Sequence, residues 1–541
     1  MSTGLLETKV SPVLPKRGRR SNAFADSNGA ISSGLARARR DLSSYTESGL
    51  PATERLLTEG GDARIVCGPR GSNRYGCSSF PEPETLAYGS STASTISRTG
   101  FNAAEALRAR LKQAALTEPS RVTYERELDR VRRELKLLCG VEKLPGLDII
   151  FGASGTDLHL FASQLMVENC ATAPLIVRVE AAETGRGVPD ALAGRHFSDC
   201  AALGDVVIPN VPLDCGRPIE ILEVKCRTQA GHPRPLAEID AEVEQAVWRA
   251  VAGGRRVLLT LVDVSKTGLL APSPACVVAL RHRFPEWIEV VVDACQFRLA
   301  PSTLKAYLEH DFIVAMTGSK FITGPTFCGA LFVPEGAAQR LRDQTLPRAL
   351  KSYSARADWP RHWTARAVLK NVANYGLLLR WEAALTELRA YCELSDAAIA
   401  DFLESFAKAV AHHLTNDEAF EPLTAPALDR GPISPAASWD RFPTIFCFLL
   451  RHRSVSGRPT WLNQDETKRV HELLLSSRCQ LGQPVSCGTR EGIPVSALRL
   501  CVSSRLIVDA LSPSGRGRKA VIAEALAVLD QAALLASLPL R

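Results

Sequence analysis

The sequence predicts an α/β protein: a large domain built on a mostly parallel sheet between helices, followed by a smaller α+β unit. Three observations predict it. Between residues 147 and 334 short apolar runs alternate with helical patterns, the rhythm of strand, helix, strand crossovers. Several of those runs end in Gly, Ser, Thr, Asp or Lys, residues expected where a ligand site forms at the carboxyl edge of a parallel sheet. Beyond Leu394 a helix, a proline-rich link, two apolar strands and a closing helix read as an α+β unit. The expected divisions are an arm over 1–95, its first 60 or so residues disordered, a large domain over 96–385 and a small one over 386–541.

Composition narrows the function. A chain of 541 residues can bury at least one large core, and 45% hydrophobic with 23% charged residues is ordinary for a globular protein. Lys and Arg exceed Asp and Glu by 65 − 58 = 7. Outside the run Lys16-Arg17-Gly18-Arg19-Arg20 that excess is dispersed, which fits a solvated surface and a flexible basic arm and gives no nucleic-acid footprint. Fifteen cysteines without a C-x-x-C pair or a leading apolar signal point to a reducing, cytoplasmic setting without a disulfide framework or zinc ribbon. His412-His413 has no further ligands around it, and no metal is expected. No apolar run reaches the roughly 18 residues of a spanning helix, so no membrane partner is expected either.

Taken in order, residues 73–94 are polar and turn-rich, with too little apolar surface to fold alone. Residues 100–139 carry apolar side chains at helical spacing, with Gly140 as a stop. Leu147 to Phe151 reads as a strand, Gly152 to Asp157 as a turn and Leu158 to Asn169 as a helix. Glycine and hydroxyl groups between a strand and a helix amino terminus make an anion cup, because free backbone N–H groups converge there. Pro174–Val179, 203–210 and 219–226 read as strands, and Ile239–Val251 as a helix. Arg256–Val264 is a buried strand ending in Ser265-Lys266-Thr267-Gly268.

The densest stretch is Val290–Pro334. The apolar run Ile288–Val292 ends in Asp293, and Phe312–Met316 ends in Thr317-Gly318-Ser319-Lys320, so two strand ends present an acid and a lysine to one place. A lysine there costs several kcal/mol unless paired, neutralised or covalently engaged. The bland reading is a salt bridge or a surface lysine. Against it stand the small hydroxylated residues before Lys320 and the turn Gly324-Pro325-Thr326 after it, a setting for close approach to an anion. Two helical patterns follow, 335–344 and 365–390, and later the strands Phe442–Leu450 and Ala497–Val502 and a helix over 516–536. Arg499, inside the penultimate element, would be costly without an anionic partner.

Asp293, Gln296, Lys320 and the Gly-Pro-Thr turn, with the Ser154-Gly155-Thr156 cup, resemble the pyridoxal-phosphate site of fold-type I enzymes, specifically the class V aminotransferase group of cysteine desulfurases and kynureninases. The resemblance covers roughly residues 100–540. It implies a seven-stranded-type sheet and pyridoxal 5'-phosphate as cofactor, with Lys320 linked to its aldehyde and Asp293 holding the pyridine nitrogen protonated. It also implies Gly155 and Thr156 at the phosphate, and Gln296, Thr317, Ser319 and Ser265 at the ring or its linkage. Arg499 becomes a clamp for the carboxylate of an amino-acid substrate, against a structural ion pair as the alternative and Arg505 as runner-up. Thr326 reaches a neighbour's phosphate, which makes the unit a homodimer. An arm carrying Arg74 and Tyr75 lies across the mouth.

Departures from the group limit the reaction. Ser319 stands where the group commonly has His, and the Gly-Pro-Thr turn lies one residue late. No histidine occurs in 180–185, leaving Glu183, Thr184 or His196 to cover the ring. Leu481 stands where desulfurases carry their thiol, with Cys479 and Cys487 out of register. A lyase or an aminotransferase is therefore expected; a desulfurase, or a non-catalytic descendant that keeps the fold for binding, is the alternative.

Overall fold

The computed structural model describes residues 49–167, 172–213, 219–423, 425–434, 438–452 and 460–539; the run Lys16–Arg20 falls outside them. The arm contributes one strand, β1 (Leu86–Tyr88). Seven strands then form the large sheet: β2 (Asp148–Gly152), β3 (Leu175–Val179), β4 (Glu220–Val224), β5 (Val257–Val262), β6 (Ile288–Ala294), β7 (Ile313–Thr317) and β8 (Gly329–Val333). Their order is β2-β8-β7-β6-β5-β3-β4, with β8 alone running against the others. Every residue of β5, β6 and β7 is buried. That explains their continuous apolar runs: a central strand covered by helices on both faces has no polar side to show. The register sets Asp293 opposite Val262 on one side and Ala315 on the other, so the carboxyl ends of the three strands lie abreast.

The expected strand over 203–210 is not formed. Only an isolated bridge, Cys200 to Val206, occurs there, and Val206 and Ile208 are 62% and 70% exposed. Gly204, Pro209 and Pro212 break the run, and its apolar residues have no sheet edge to join. The single helical reading over 100–139 divides into Arg98–Ala114, capped by Ser97 Oγ accepting from Gly100 N at 2.8 Å, and Ser120–Leu138, started by Pro119.

Five further strands, β9 (Phe420–Leu423), β10 (Ile445–His452), β11 (Thr460–Trp461), β12 (Cys479–Arg490) and β13 (Ile493–Cys501), join β1 in the second sheet, ordered β1-β12-β13-β10-β11 with β9 on β10. Pro484 sits inside β12, where the register with β13 shifts between Gly482 and Val485. A proline has no N–H for the ladder, so an irregularity is where a strand can hold one.

The arm is folded from before residue 60, against the expectation of disorder to that point: Thr53–Leu56 is helical, and Leu56 and Leu57 enter the core. One side chain locks it down. Arg380, on the buried helix Tyr375–Cys392, donates to the carbonyls of Leu57 (3.2 Å) and Gly60 (2.7 Å) in the arm, and to Phe327 (2.6 Å) just past the lysine turn.

Candidate active site

The carboxyl ends of β5, β6 and β7, the turn after β2, the arm and the start of β12 enclose a cavity of about 260 Å³. Of the residues singled out in the sequence, Gly155, Thr156, Ser265, Asp293, Gln296, Thr317, Ser319, Lys320 and Arg499 line it, together with Arg74, Tyr75, Glu183 and Thr184. Thr326 does not.

Asp293 is buried at the end of β6. Its Oδ1 accepts from Cys295 N at 3.1 Å, and its Oδ2 lies 3.3 Å from Nε2 of His159. His159 Nδ1 is 2.7 Å from the carbonyl of Gly155. Both ring nitrogens therefore face oxygens that accept, which an imidazolium satisfies and a neutral ring does not. Burial alone would discharge the pair, yet His159 and then Lys320 hold the Asp293 carboxyl far below the usual range, while Asp293 holds the His159 ring above its ordinary value. The sequence reading missed His159. Its signal was present: in a helix beginning at Gly155, residue 159 lies one turn above the cup on the same face.

Lys320 lies at the end of the β7 turn, with Cys295 and Asp293 as its neighbouring acids. Burial lowers its ammonium below the ordinary lysine value, and those neighbours only partly offset the loss. Thr317 Oγ1 donates to the Cys295 carbonyl at 2.6 Å and so ties the ends of β6 and β7 together. Gln296 Nε2 donates to the Ser91 carbonyl of the arm at 3.0 Å. Three buried polar atoms on the cavity wall, Ser319 Oγ, Thr184 Oγ1 and Gln296 Oε1, have no partner among the described residues.

At the cup, the helix Gly155–Val167 points its amino terminus into the cavity. A Cβ on Gly155 would come within 2.7 Å of Cys295 Sγ, so only glycine lets the cup approach the end of β6 this closely. Ser154 Oγ donates to Asp157 Oδ2 at 2.6 Å, and burial, followed by Asp62, raises the Asp157 carboxyl to about 7. No sequence signal marks the next residue. Arg64, from the arm, donates to Ser154 Oγ at 3.0 Å and Thr156 Oγ1 at 3.2 Å, is gripped at both oxygens by Asp62, and lies 4.8 Å from the Phe327 ring centroid.

Ser265 has its hydroxyl engaged: it donates to Glu183 Oε2 at 2.6 Å and accepts from Leu269 N at 3.0 Å. Glu183 is balanced in turn by Arg227 at 2.7 Å. Arg499 is 1% exposed. It donates to the carbonyls of Lys266 and Gln483 and to Thr92 Oγ1, and it has no carboxylate partner among the described residues, so the structural ion pair weighed for it is absent. Arg505, the runner-up, pairs instead with Glu387 and lies off the cavity. His196 binds the Tyr353 hydroxyl and does not line the cavity.

Two expectations change here. Gly324-Pro325-Thr326 is buried within its own chain, with the Thr326 side chain against Cys77 of the arm, so in a single chain the turn is not presented to a neighbour. Cys479 is not on a loop: it is buried in β12, in register with Leu86 of β1. Neither it nor Cys487 lines the cavity; Cys295 does.

No family model and no curated protein matches this sequence. Solved structures do match in shape. A NifS-like protein superposes with a TM-score of 0.50 at 12% identity, over 82% of this chain and 99% of its own. A mutant of C-DES with glycine covalently linked to its PLP cofactor gives 0.52 at 12% identity, over 82% and 97%. The chain shares the fold of these two structures. In that fold the carboxyl edge of β5–β7 is where a ligand crevice is expected, and the cavity lies there.

Proposed function

We propose that this chain is a pyridoxal-phosphate enzyme acting on an amino acid, as a lyase or an aminotransferase. The observation that carries the reading is the meeting, in one cavity, of Lys320, the Asp293–His159 pair and the Ser154–Thr156 cup. The residues fit the cofactor: an anion cup, a buried ionised acid, a half-buried amine, and the unpartnered Ser319, Thr184 and Gln296 atoms on the same wall.

When bound, pyridoxal phosphate supplies an aldehyde that links amines and a ring that takes up the electron pair left by a broken bond at the substrate's α carbon. Asp293, kept ionised by His159, holds a proton at the ring nitrogen. The amine of Lys320, eased toward its neutral form by burial, is a nucleophile and afterwards a base at the α carbon. The cup and Arg64 hold the phosphate, with Asp62 fixing the guanidinium. Arg499 receives the substrate carboxylate. Persulfide chemistry is disfavoured, because Cys479 and Cys487 are held in β12 away from the cavity. A homodimer in a reducing, cytoplasmic setting completes the reading. The free thiols of the described cysteines support the setting, and the motif resemblance alone carries the dimer, which sedimentation tests.

The test is direct. Protein incubated with the cofactor and then desalted is expected to keep a visible absorption band, and borohydride to fix the cofactor's mass on the peptide holding Lys320. Lys320→Ala should lose the fixed mass and all turnover. A wild-type protein with no band, or with the mass fixed elsewhere, overturns the proposal. His159, Asp293 and Cys295 also bring three donor atoms within 4.8 Å, a set that suits a divalent ion; metal analysis of the same sample separates that second reading.

A further inference from the structure

The cavity has two ends with different charge balance. At the cup, Arg64 is matched by Asp62. Elsewhere on the wall Lys266 and Arg499 stand side by side, and neither has a carboxylate partner among the described residues; Arg186 is exposed, between two glycines that pack against Thr156 of the cup. Lys266 follows β5 and lines the cavity. Its backbone N–H is bound by the Glu183 carbonyl at 2.9 Å and its carbonyl by Arg499 at 3.2 Å, so the residue is held beside Arg499. Its ammonium makes no hydrogen bond and no ion pair among the described residues. Burial first, then Arg499 and Lys320, drive that ammonium down to about 7; the acid that opposes them, Glu183, is already engaged by Arg227, Ser265 and Thr267.

Two cations held side by side without a counter-ion repel one another, and a fold bears that cost where an anion arrives to relieve it. The α-carboxylate of a substrate accounts for one of them, Arg499. Lys266 is left over. Resting on the cofactor reading above, we infer that the substrate is an amino acid with a second acidic group on its side chain, Arg499 taking the α-carboxylate and Lys266 taking the side-chain anion. Carboxylate and sulfonate side chains share this chemistry.

The experiment is a spectral titration of the cofactor-loaded protein with L-aspartate, L-glutamate and L-cysteate against L-asparagine, L-glutamine and L-serine. An acidic amino acid is expected to perturb the visible band at a concentration at least about tenfold below its neutral counterpart, the worth of one charge-assisted contact. In Lys266→Met that preference should shrink to within about threefold, chiefly through weaker binding of the acids. The carboxylate and sulfonate arms show which anion fits better. Neutral amino acids binding as tightly as the acids, no response to any acid, or a preference that survives Lys266→Met each overturns the inference. Protein that shows no band before any amino acid is added refutes the cofactor reading and this inference with it, and is distinguishable from the other failures at that first step.

Discussion

The two ends of the cavity are built on opposite electrostatic plans. At the cup, Arg64, Asp62, Ser154, Asp157 and Thr156 form a connected set in which the cation has its carboxylate. At the far end, Arg499 is a buried cation that donates to carbonyls and a hydroxyl, and the half-buried Lys266 stands beside it. A closed set suits a resident group that stays through many turnovers: it needs rigid donors that do not rearrange. An open set suits a ligand that comes and goes, because the binding energy is released only when the anion is present. Asp293 and Lys320 line the same cavity.

Four variants break or sharpen that contrast. The largest effect is expected at Asp293. Asp293→Asn removes the charge at the ring nitrogen and leaves His159 without its acid, so turnover should fall by roughly a hundredfold or more while cofactor is still retained. Steady-state rates and the absorption spectrum check this together. If turnover survived nearly unchanged, Asp293 would be structural.

At the open end, Arg499→Met should weaken substrate binding by about 1.5–3 kcal/mol, with little change in cofactor retention on dialysis. At the closed end the pattern should reverse. Arg64→Met, combined with Asp62→Asn so that no buried carboxylate is stranded, should raise the cofactor dissociation constant about tenfold and leave amino-acid affinity nearly as it was. Equal losses of both ligands in both variants would mean that the two ends are not separate.

The smallest effect concerns stability. Lys266 has an ordinary value of 10.5 and is driven to about 7 in the folded chain, so between those values the unfolded state holds the extra proton. Stability therefore rises with pH across that window, and the cost of burying the charge is complete below about 7. Lys266→Met should raise the melting temperature of the ligand-free protein by a few degrees near neutrality, and by less as the pH approaches about 10. A shift that does not depend on pH would show that Lys266 bears no burden of charge in the free protein.

Strand ends were legible in the sequence because the signal is local. An apolar run that stops at Asp293, and another that stops before Lys320, need only the chain's own neighbours to be read, and the central position of β6 and β7 makes the runs long and unmixed. The cup was legible for the same reason, since Ser154-Gly155-Thr156 joins a strand to a helix directly. The false strand at 203–210 shows the limit: apolar residues alone do not say whether a sheet edge is waiting for them.

What the sequence determined by itself was thus the α/β class, the acid and the lysine at adjacent strand ends, and the anion cup. Tertiary structure alone decided which other charges reach them. Arg64 stands 90 residues or more before Ser154 and Thr156, and it arrives because Arg380 pins residues 57–60. Lys266 meets Arg499 across more than 230 residues, through pairing of the turn after β5 with β13. His159 meets Asp293 only because β6 ends beneath the helix that starts at the cup. Contacts of such separation leave no period in the chain, because helical and strand repeats record which face is buried and carry no record of the partner on the other side.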